Sequence, residues 1–316
     1  MGGPDNGEKR MMDALMLCGD KGASRMVEGE SKAFLYMHGM PLFYWVALAA
    51  AQVDRVARIF IIGDKAKLDR HLSLRPPLAK PVFTLEQEGS LLENIMAAFK
   101  ASIDGYQPGM EERDAAVRSK SVLLMPGDAP LLQPGEIDEF LDGADMERYD
   151  YVAGMTPDSV MARYYPTERK PGIKMAYLHF REGLFRINNL HVARPFACKN
   201  IDVVQLMYAS RYQKDLKNIV HLTRDMWRHH VKMQSLILYA TLQGAMLSSF
   251  LGFGFLASIL RKRAPMEAVA QAAGRILGMR VSWAVTRSGG AAVDVDNDID
   301  YETMKARFHE WREAQG

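Results

Sequence analysis

Three short stretches of this chain carry residue types that together could handle a phosphate group. The first is Asp13 to Lys32, DALMLCGDKGASRMVEGESK. A short apolar run gives way to Gly19, Asp20, Lys21, Gly22, Ala23, Ser24 and Arg25, with Lys32 further on. Glycines let backbone N–H groups approach an anion with no Cβ in the way. Lys21, Arg25 and Lys32 add positive charge. The order apolar strand, glycine loop, then helix predicts a phosphate-binding turn. The second stretch, Pro126-Gly-Asp-Ala-Pro-Leu-Leu-Gln-Pro134, follows another apolar run and holds Asp128 among prolines. The third, Ala291 to Glu302, contains Asp294 and Asp296, which a period of two points to one side. Carboxylates beside phosphate oxygens suit Mg2+, which keeps several waters. The adjacent helix-prone residues predict a capping role for Asp298 or Asp300.

Spacing excludes two familiar loops. Gly22 is followed by Ala23 and Ser24, not by the Lys-Ser/Thr of a Walker loop, and only Gly19 and Gly22 stand where a dinucleotide loop needs three glycines. The elements that must position these residues are short apolar runs: 13–17, 58–62, 81–84, 121–125 and 151–155. They alternate with helical patterns starting at Pro41 and at Ser90, a candidate N-cap. That alternation predicts a mostly parallel sheet covered on both faces, with ligands at the carboxyl ends of the strands. Gly19 and Asp128 both fall at such ends. Residues 105–120 read as irregular. Lys174–Phe180 and Leu184–Val192 read as a hairpin across Arg181-Glu182-Gly183, and His191 as a structural histidine. Residues 200–278 are helical in pattern, 279–285 return to strand, and 300–314 form a closing helix.

In this order and placement the motifs resemble the GT-A-like nucleotidyltransferase superfamily that includes the molybdenum-cofactor and sugar-phosphate nucleotidyltransferases. Leu17, Gly19, Gly22, Ser24, Arg25, Met26 and Lys32 fall on its first signature. Asp20 replaces that signature's second glycine, Ala23 lengthens the gap, and Ser31 stands where it has proline. Asp128, Pro130, Leu131 and Leu132 match a strand-end metal-binding aspartate, and the third stretch resembles the close of the catalytic domain. The resemblance covers residues 13–195 and 279–303. It implies a Rossmann-like α/β core over 13–199, a helical insertion over 200–278, and 279–316 completing the core. It implies transfer of an NMP group from an NTP to a small phosphorylated or hydroxyl-bearing acceptor, with release of pyrophosphate and dependence on Mg2+. Arg25, Lys32 and Asp128 would be catalytic. Leu17, Gly19, Gly22, Ser24, Arg25, Lys32, Gly89 and Asn94 would hold the nucleotide, its base near 87–94. Lys174, Asn188 and Asn189 would line the acceptor side, and Asp128 with Asp294 or Asp296 would hold the metal.

Two alternatives stay open at this point. Asp294-Val-Asp296 is an Asp-x-Asp motif, as in glycosyltransferases that use nucleotide-sugars, and the lost glycine and proline also fit a degenerate nucleotide-binding scaffold. The net charge of +2 implies no nucleic-acid partner. Two cysteines, Cys18 and Cys198, imply a reducing, cytoplasmic setting and no disulfide framework. The segment 235–260 contains no charged residue. It reads either as a buried helical subdomain, packed on the sheet or on a second subunit, or as a shallow membrane-docking hairpin broken at Gly252 and Gly254. A single membrane crossing would separate Asp128 from Asp294 and Asp296.

Overall fold

The computed structural model describes residues 11–21, 26–201 and 233–315. Strand β1 (Met12–Leu17) has its four central residues buried, as an apolar run covered on both faces should. Among the described residues no α-helix follows it directly. Instead come two minimal hairpins, β2 (Met26–Val27) with β3 (Glu30–Ser31) and β4 (Tyr36–Met37) with β5 (Met40–Pro41). A 3-10 turn, Lys32–Phe34, lies between them. Helix α1 (Leu42–Ala51) starts only after these, with Pro41 at its N-cap. The helix expected from Pro41 is present, but these hairpins stand between it and β1. The reason is packing: Val27, Leu35, Met37 and Leu42 are buried in a cluster with Val293, Val295, Tyr301 and Phe308. That cluster lays the Lys32 segment against the C-terminal part of the chain.

The alternation then holds through β6 (Val56–Gly63), α2 (Lys65–Ser73), β7 (Val82–Glu86) and α3 (Leu91–Ala101). Ser90 caps α3, accepting from the Glu93 N–H. The stretch expected to be irregular holds two short helices, α4 (Met110–Arg113) and α5 (Ala115–Ser119). Asp114 caps the second by accepting from the N–H groups of Ala116 and Val117. Next come β8 (Val122–Pro126), α6 (Pro134–Gly143), β9 (Tyr151–Pro157), α7 (Asp158–Met161), β10 (Leu178–Phe180) and β11 (Gly183–Ala193). Only Leu178–Phe180 of the expected first hairpin arm is strand. The C-terminal region adds α8 (Met233–Phe250), α9 (Gly254–Arg261), α10 (Met266–Leu277), β12 (Val281–Val285) and α11 (Asp298–Glu313).

The main sheet runs in the order β12-β9-β11-β8-β1-β6-β7, with β10 paired to β11. All neighbours are parallel except the pairs made by β11, which runs against both β8 and β9. The carboxyl ends of β1, β6, β7, β8, β9 and β12 therefore share one end of the molecule. Helix α11 buries Tyr301, Met304, Phe308 and Trp311, spaced three and four apart on one face. Burying each such side chain contributes roughly 1.5–3 kcal/mol. Asn297, not Asp298 or Asp300, is its cap, accepting from the Asp300 N–H; Asp298 instead accepts from the N–H of Glu28. Thus α11 and the Lys32 segment are fastened to each other before either meets a ligand.

Candidate active site

The site forms where β1 and β8 end side by side. Leu17 pairs with Pro126, and its carbonyl accepts the Gly127 N–H at 3.1 Å. One residue on, Asp128 accepts at its carbonyl from the Val295 N–H at 3.2 Å. That bond brings in the third stretch, in which Val293 and Val295 are buried and Asp294 and Asp296 face the other way. Lys32, held on its 3-10 turn, places its Nζ 2.9 Å from Asp296 Oδ1 and 3.8 Å from Asp128 Oδ2. Asp294 is paired separately, with Arg186 Nη2 at 3.0 Å, while Arg186 Nε donates to the carbonyl of Ala292.

The electrostatics are those of a crowded acidic corner. Burial and the neighbouring Asp294 push the Asp128 carboxyl up to about 7, against the pull of Lys32. Burial alone would depress the Lys32 ammonium, but Asp128 and Asp296 outweigh it and hold Lys32 above its ordinary value. Asp300 is raised as well, by burial and by Asp296. Four carboxylates thus face Lys32 and Arg186, an excess of negative charge that a divalent cation would relieve. Among the described residues no three carboxylate, imidazole or thiolate side chains converge closely enough to ligate an ion unaided. Mg2+ does not require that, since one or two carboxylates plus phosphate oxygens and waters complete its sphere. The donors present suit it.

The glycine loop is tied to the end of β7. Gln87 Oε1 accepts from the N–H of Asp20 at 2.8 Å and from that of Lys21 at 3.3 Å, and Gln87 Nε2 donates to Asp20 Oδ1 at 2.7 Å. Asp20, standing where the superfamily signature has glycine, is therefore half of a reciprocal pair. Gly19 must lack a side chain, because a Cβ there would lie 2.8 Å from Asn94 Nδ2 and 3.1 Å from Gln87 Oε1. Asn94 is buried and accepts from the Glu88 N–H, while Gly89 is exposed beside it. Leu17, Gly19, Gly89 and Asn94 are thereby brought together. Gly22, Ser24 and Arg25 lie outside the described residues.

The acceptor-side residues divide. Asn188 is fully buried and donates to Thr156 Oγ1 and Thr286 Oγ1, while its Oδ1 accepts from the Leu190 N–H. It fills space over Gly154, where a Cβ would lie 2.0 Å from Asn188 Oδ1. Its expected place in an acceptor cleft is therefore corrected: every polar atom of its amide is engaged inside the sheet. Asn189 donates to the carbonyl of Ala291, on the loop that leads to Asp294. Lys174 is exposed in the extended segment ahead of β10. His191 stacks on Tyr151 and shares a 2.9 Å hydrogen bond with its hydroxyl; burial lowers it to about 4, so it is a packing residue. Cys18 is buried, and burial with nearby Asp128 raises its thiol well above normal, the opposite of an activated nucleophile.

Three contributors escaped sequence reasoning: Gln87 as the loop's partner, Arg186 as the holder of Asp294, and Glu136. Glu136 is fully buried on α6 and accepts from Thr286 Oγ1 and from the N–H groups of Gly289 and Ala291. It fastens the loop that carries Asp294. A buried glutamate in the first turn of an otherwise apolar helix face was the available signal.

A parallel sheet with a glycine loop, a basic residue and convergent aspartates at its carboxyl end defines a nucleotidyltransferase of Rossmann-like fold. The chain belongs to the MobA-like NTP transferase domain family, whose model matches residues 14–234. Family membership supports nucleotidyl transfer over the glycosyltransferase alternative. A solved structure described as a hypothetical transferase from Thermus thermophilus is similar in fold, with 24% identity and a TM-score of 0.59 over 92% of this chain and 99% of that one. A CMP:2-keto-3-deoxy-manno-octonic acid synthetase complexed with CTP is similar at 13% identity and a TM-score of 0.46, over 95% of this chain and 99% of that one. A 4-diphosphocytidyl-2C-methyl-D-erythritol synthase from Anaerococcus prevotii follows at 9% and 0.45, over 96% and 100%. No curated protein matches the sequence.

Proposed function

We propose that this nucleotidyltransferase moves an NMP group from an NTP to a small acceptor bearing a phosphate or hydroxyl. An acceptor oxygen attacks the α-phosphorus in line, the bond to the bridging oxygen breaks, and pyrophosphate leaves. No enzyme nucleophile is needed, so catalysis rests on positioning and charge stabilisation. Lys32 exchanges its carboxylate partners for the phosphates and neutralises charge on the α-phosphoryl group and departing pyrophosphate. Gly19 keeps the loop close to Gln87 and Asn94, so the nucleotide enters against an ordered edge; Gly22, Ser24 and Arg25 are assigned to the nucleotide by the signature alone. Asp128, with Asp296 or Asp294, would hold Mg2+, which supplies Lewis-acid charge neutralisation at the phosphates. Asp296 is favoured over Asp294, because it is 53% exposed and shares Lys32 with Asp128, whereas Asp294 is committed to Arg186. Asn189 and Lys174 remain on the acceptor side.

The observation that carries this reading is the Lys32 ammonium set between Asp128 and Asp296 at the shared carboxyl end of β1 and β8. Its test has two stages. Thermal shift with CTP, GTP, UTP and ATP, each with Mg2+, identifies the nucleotide, since a bound ligand raises apparent stability. Pyrophosphate release from that NTP is then followed against a panel of sugar phosphates and polyol phosphates. Stabilisation by no NTP, or product formation without pyrophosphate, would overturn the proposal.

A further inference from the structure

The apolar hairpin α8–α9 takes no part in the site, and its surface is unusual. Helix α8 ends at Phe250, the chain reverses at Gly252 with φ +82°, and α9 begins at Gly254. The root of the hairpin is packed: Leu242 and Ala264 are buried against Met155 and Phe180 of the sheet, and Ala245 and Ala257 are buried as well. The tip is not. Phe250 is 87% exposed, Phe255 83%, and Phe253, Leu251 and Leu256 are exposed beside them. These side chains crowd a single reversal of the chain, so they make a projecting knob rather than a groove.

Among the described residues, the charge nearest the knob lies on its C-terminal side. No charged residue occurs from Ser235 to Leu260, and then Arg261, Lys262 and Arg263 follow in succession. Among the described residues no carboxylate pairs with any of the three. Among the described residues, the titratable and charged groups beside this collar are His179 on β10, lowered by burial and Arg261, Arg181, whose N–H donates to the Ala264 carbonyl, Glu182, which accepts from the Met266 N–H, and Glu267 on α10. We propose that this tip docks on an anionic lipid surface, with the aromatic and aliphatic knob in the interfacial region and the basic collar against lipid headgroups. Aromatic side chains favour that region, and basic residues near an anionic leaflet add attraction. Docking is shallow, because no helix among the described residues is long and apolar enough to cross a membrane. A protein partner would have to offer a hollow shaped to the knob and an acidic rim. A fluid anionic bilayer supplies both without shape matching.

The root also gives the docking a direction. Helices α8 and α9 pack on β10, and β10 pairs with the first residues of β11. There Phe185 lies opposite Pro157, at the carboxyl end of β9, and the next residue is Arg186, which holds Asp294. The hairpin is therefore rooted at the catalytic end of the sheet. The proposal does not depend on which nucleotide or acceptor is used, and its test reads binding alone.

The full-length protein is floated with phosphatidylcholine vesicles, with and without phosphatidylglycerol, at low and raised salt. It co-floats with the anionic vesicles at low salt and not with phosphatidylcholine alone. Replacing Phe250 and Phe255 with serine lowers the partition about 100-fold or more, the loss of two buried aromatic side chains. Neutralising the collar (Arg261→Gln, Lys262→Gln, Arg263→Gln) lowers it about 100-fold, at about fivefold per cation. Both variants keep the wild-type melting temperature, because the substituted side chains lie outside the core, so a loss of binding cannot be a loss of fold. Wild-type protein that ignores anionic vesicles overturns the proposal. So does binding that survives both substitutions. A self-association seen by sedimentation and abolished by Phe250→Ser with Phe255→Ser, without vesicle binding, assigns the knob to a second copy of the chain instead.

Discussion

Replacing Glu136 by glutamine removes one acceptor and changes almost nothing else. The carboxyl accepts on both oxygens: Thr286 Oγ1 at 3.2 Å and the Gly289 N–H at 3.0 Å reach Oε1, and the Ala291 N–H at 2.9 Å reaches Oε2. A glutamine amide can accept on one side only. Whichever way it turns, a buried backbone N–H of the 289–291 loop meets a second donor. Each buried donor left unsatisfied costs about 1–3 kcal/mol. Near pH 5 the carboxyl is protonated but keeps an acceptor lone pair on each oxygen, which the amide NH2 lacks, so Glu136→Gln should destabilise the protein there by about 1–3 kcal/mol, the cost of that one N–H. Burial pushes Glu136 up to about 7, above its unfolded value of about 4.3. A raised carboxyl contributes stability that is full below the unfolded pKa and lost as pH rises through the folded one. The wild type therefore weakens between those values and the variant does not, so the gap narrows above pH 7. Urea unfolding at pH 5 and pH 8 measures it. Because the loop leads to Asp294 and Asp296, the Mg2+ concentration for half-maximal pyrophosphate release should also rise. A Glu136→Gln protein with wild-type stability at pH 5 and an unchanged Mg2+ requirement would refute the reasoning.

The other expectations are more direct. Lys32→Ala should cut turnover by about 10²-fold or more, as loss of a preorganised cation does, with the fold intact by circular dichroism; full activity would exclude Lys32 from the reaction. Asp128→Asn should abolish Mg2+-dependent pyrophosphate release without lowering the melting temperature, because burial and Asp294 already disfavour its ionised form; activity persisting in EDTA would end the metal assignment. Asp296→Asn should impair activity more than Asp294→Asn, compared as kcat/KM at fixed Mg2+. Away from the site, hydrogen bonds from Arg280 hold Asp150 at about 2, with Arg194 adding to them against burial. Its contribution is full above the unfolded value and lost as pH falls towards 2. Asp150→Asn should therefore cost about 1–2 kcal/mol at pH 7, after discounting the half-exposed Arg280, and nothing near pH 2 by chemical denaturation.

The parallel strands were legible because a strand buried on both faces must be a continuous apolar run, and β1, β6 and β8 are such runs. The strand-end positions of Gly19 and Asp128 followed from them. What stayed hidden was set by distant partners. Strand β11 looks locally like half of a hairpin, yet it also inserts between β8 and β9, and nothing in residues 184–192 specifies that pairing. Arg186 has meaning only through Asp294, 108 residues away, and Glu136 only through a loop more than 150 residues on. In sequence Asn188 and Asn189 look like one unit, but neighbours on a strand face opposite ways. One is sealed over Gly154 and the other reaches the Ala291 carbonyl.

The departures from the superfamily signature also acquire reasons. With Asp20 in place of glycine, the N–H groups of Asp20 and Lys21 are occupied by Gln87, so they are not the donors a bound phosphate meets. The helix that follows the loop in the chain, α1, begins only at Leu42, past both hairpins, so its N-terminus is not the loop's own. Two usual sources of anion stabilisation are thus displaced, which puts more of the burden on fixed cations. Lys32 is placed for that role, since its turn is fastened by Phe34 and Leu35 in two different buried clusters. Its ammonium cannot neutralise Asp128, Asp296 and a phosphate together. A nucleotide that draws Lys32 away leaves the carboxylates short of positive charge, and a divalent cation arriving with the nucleotide restores it. Nucleotide and metal should therefore each bind better in the other's presence, by the same factor.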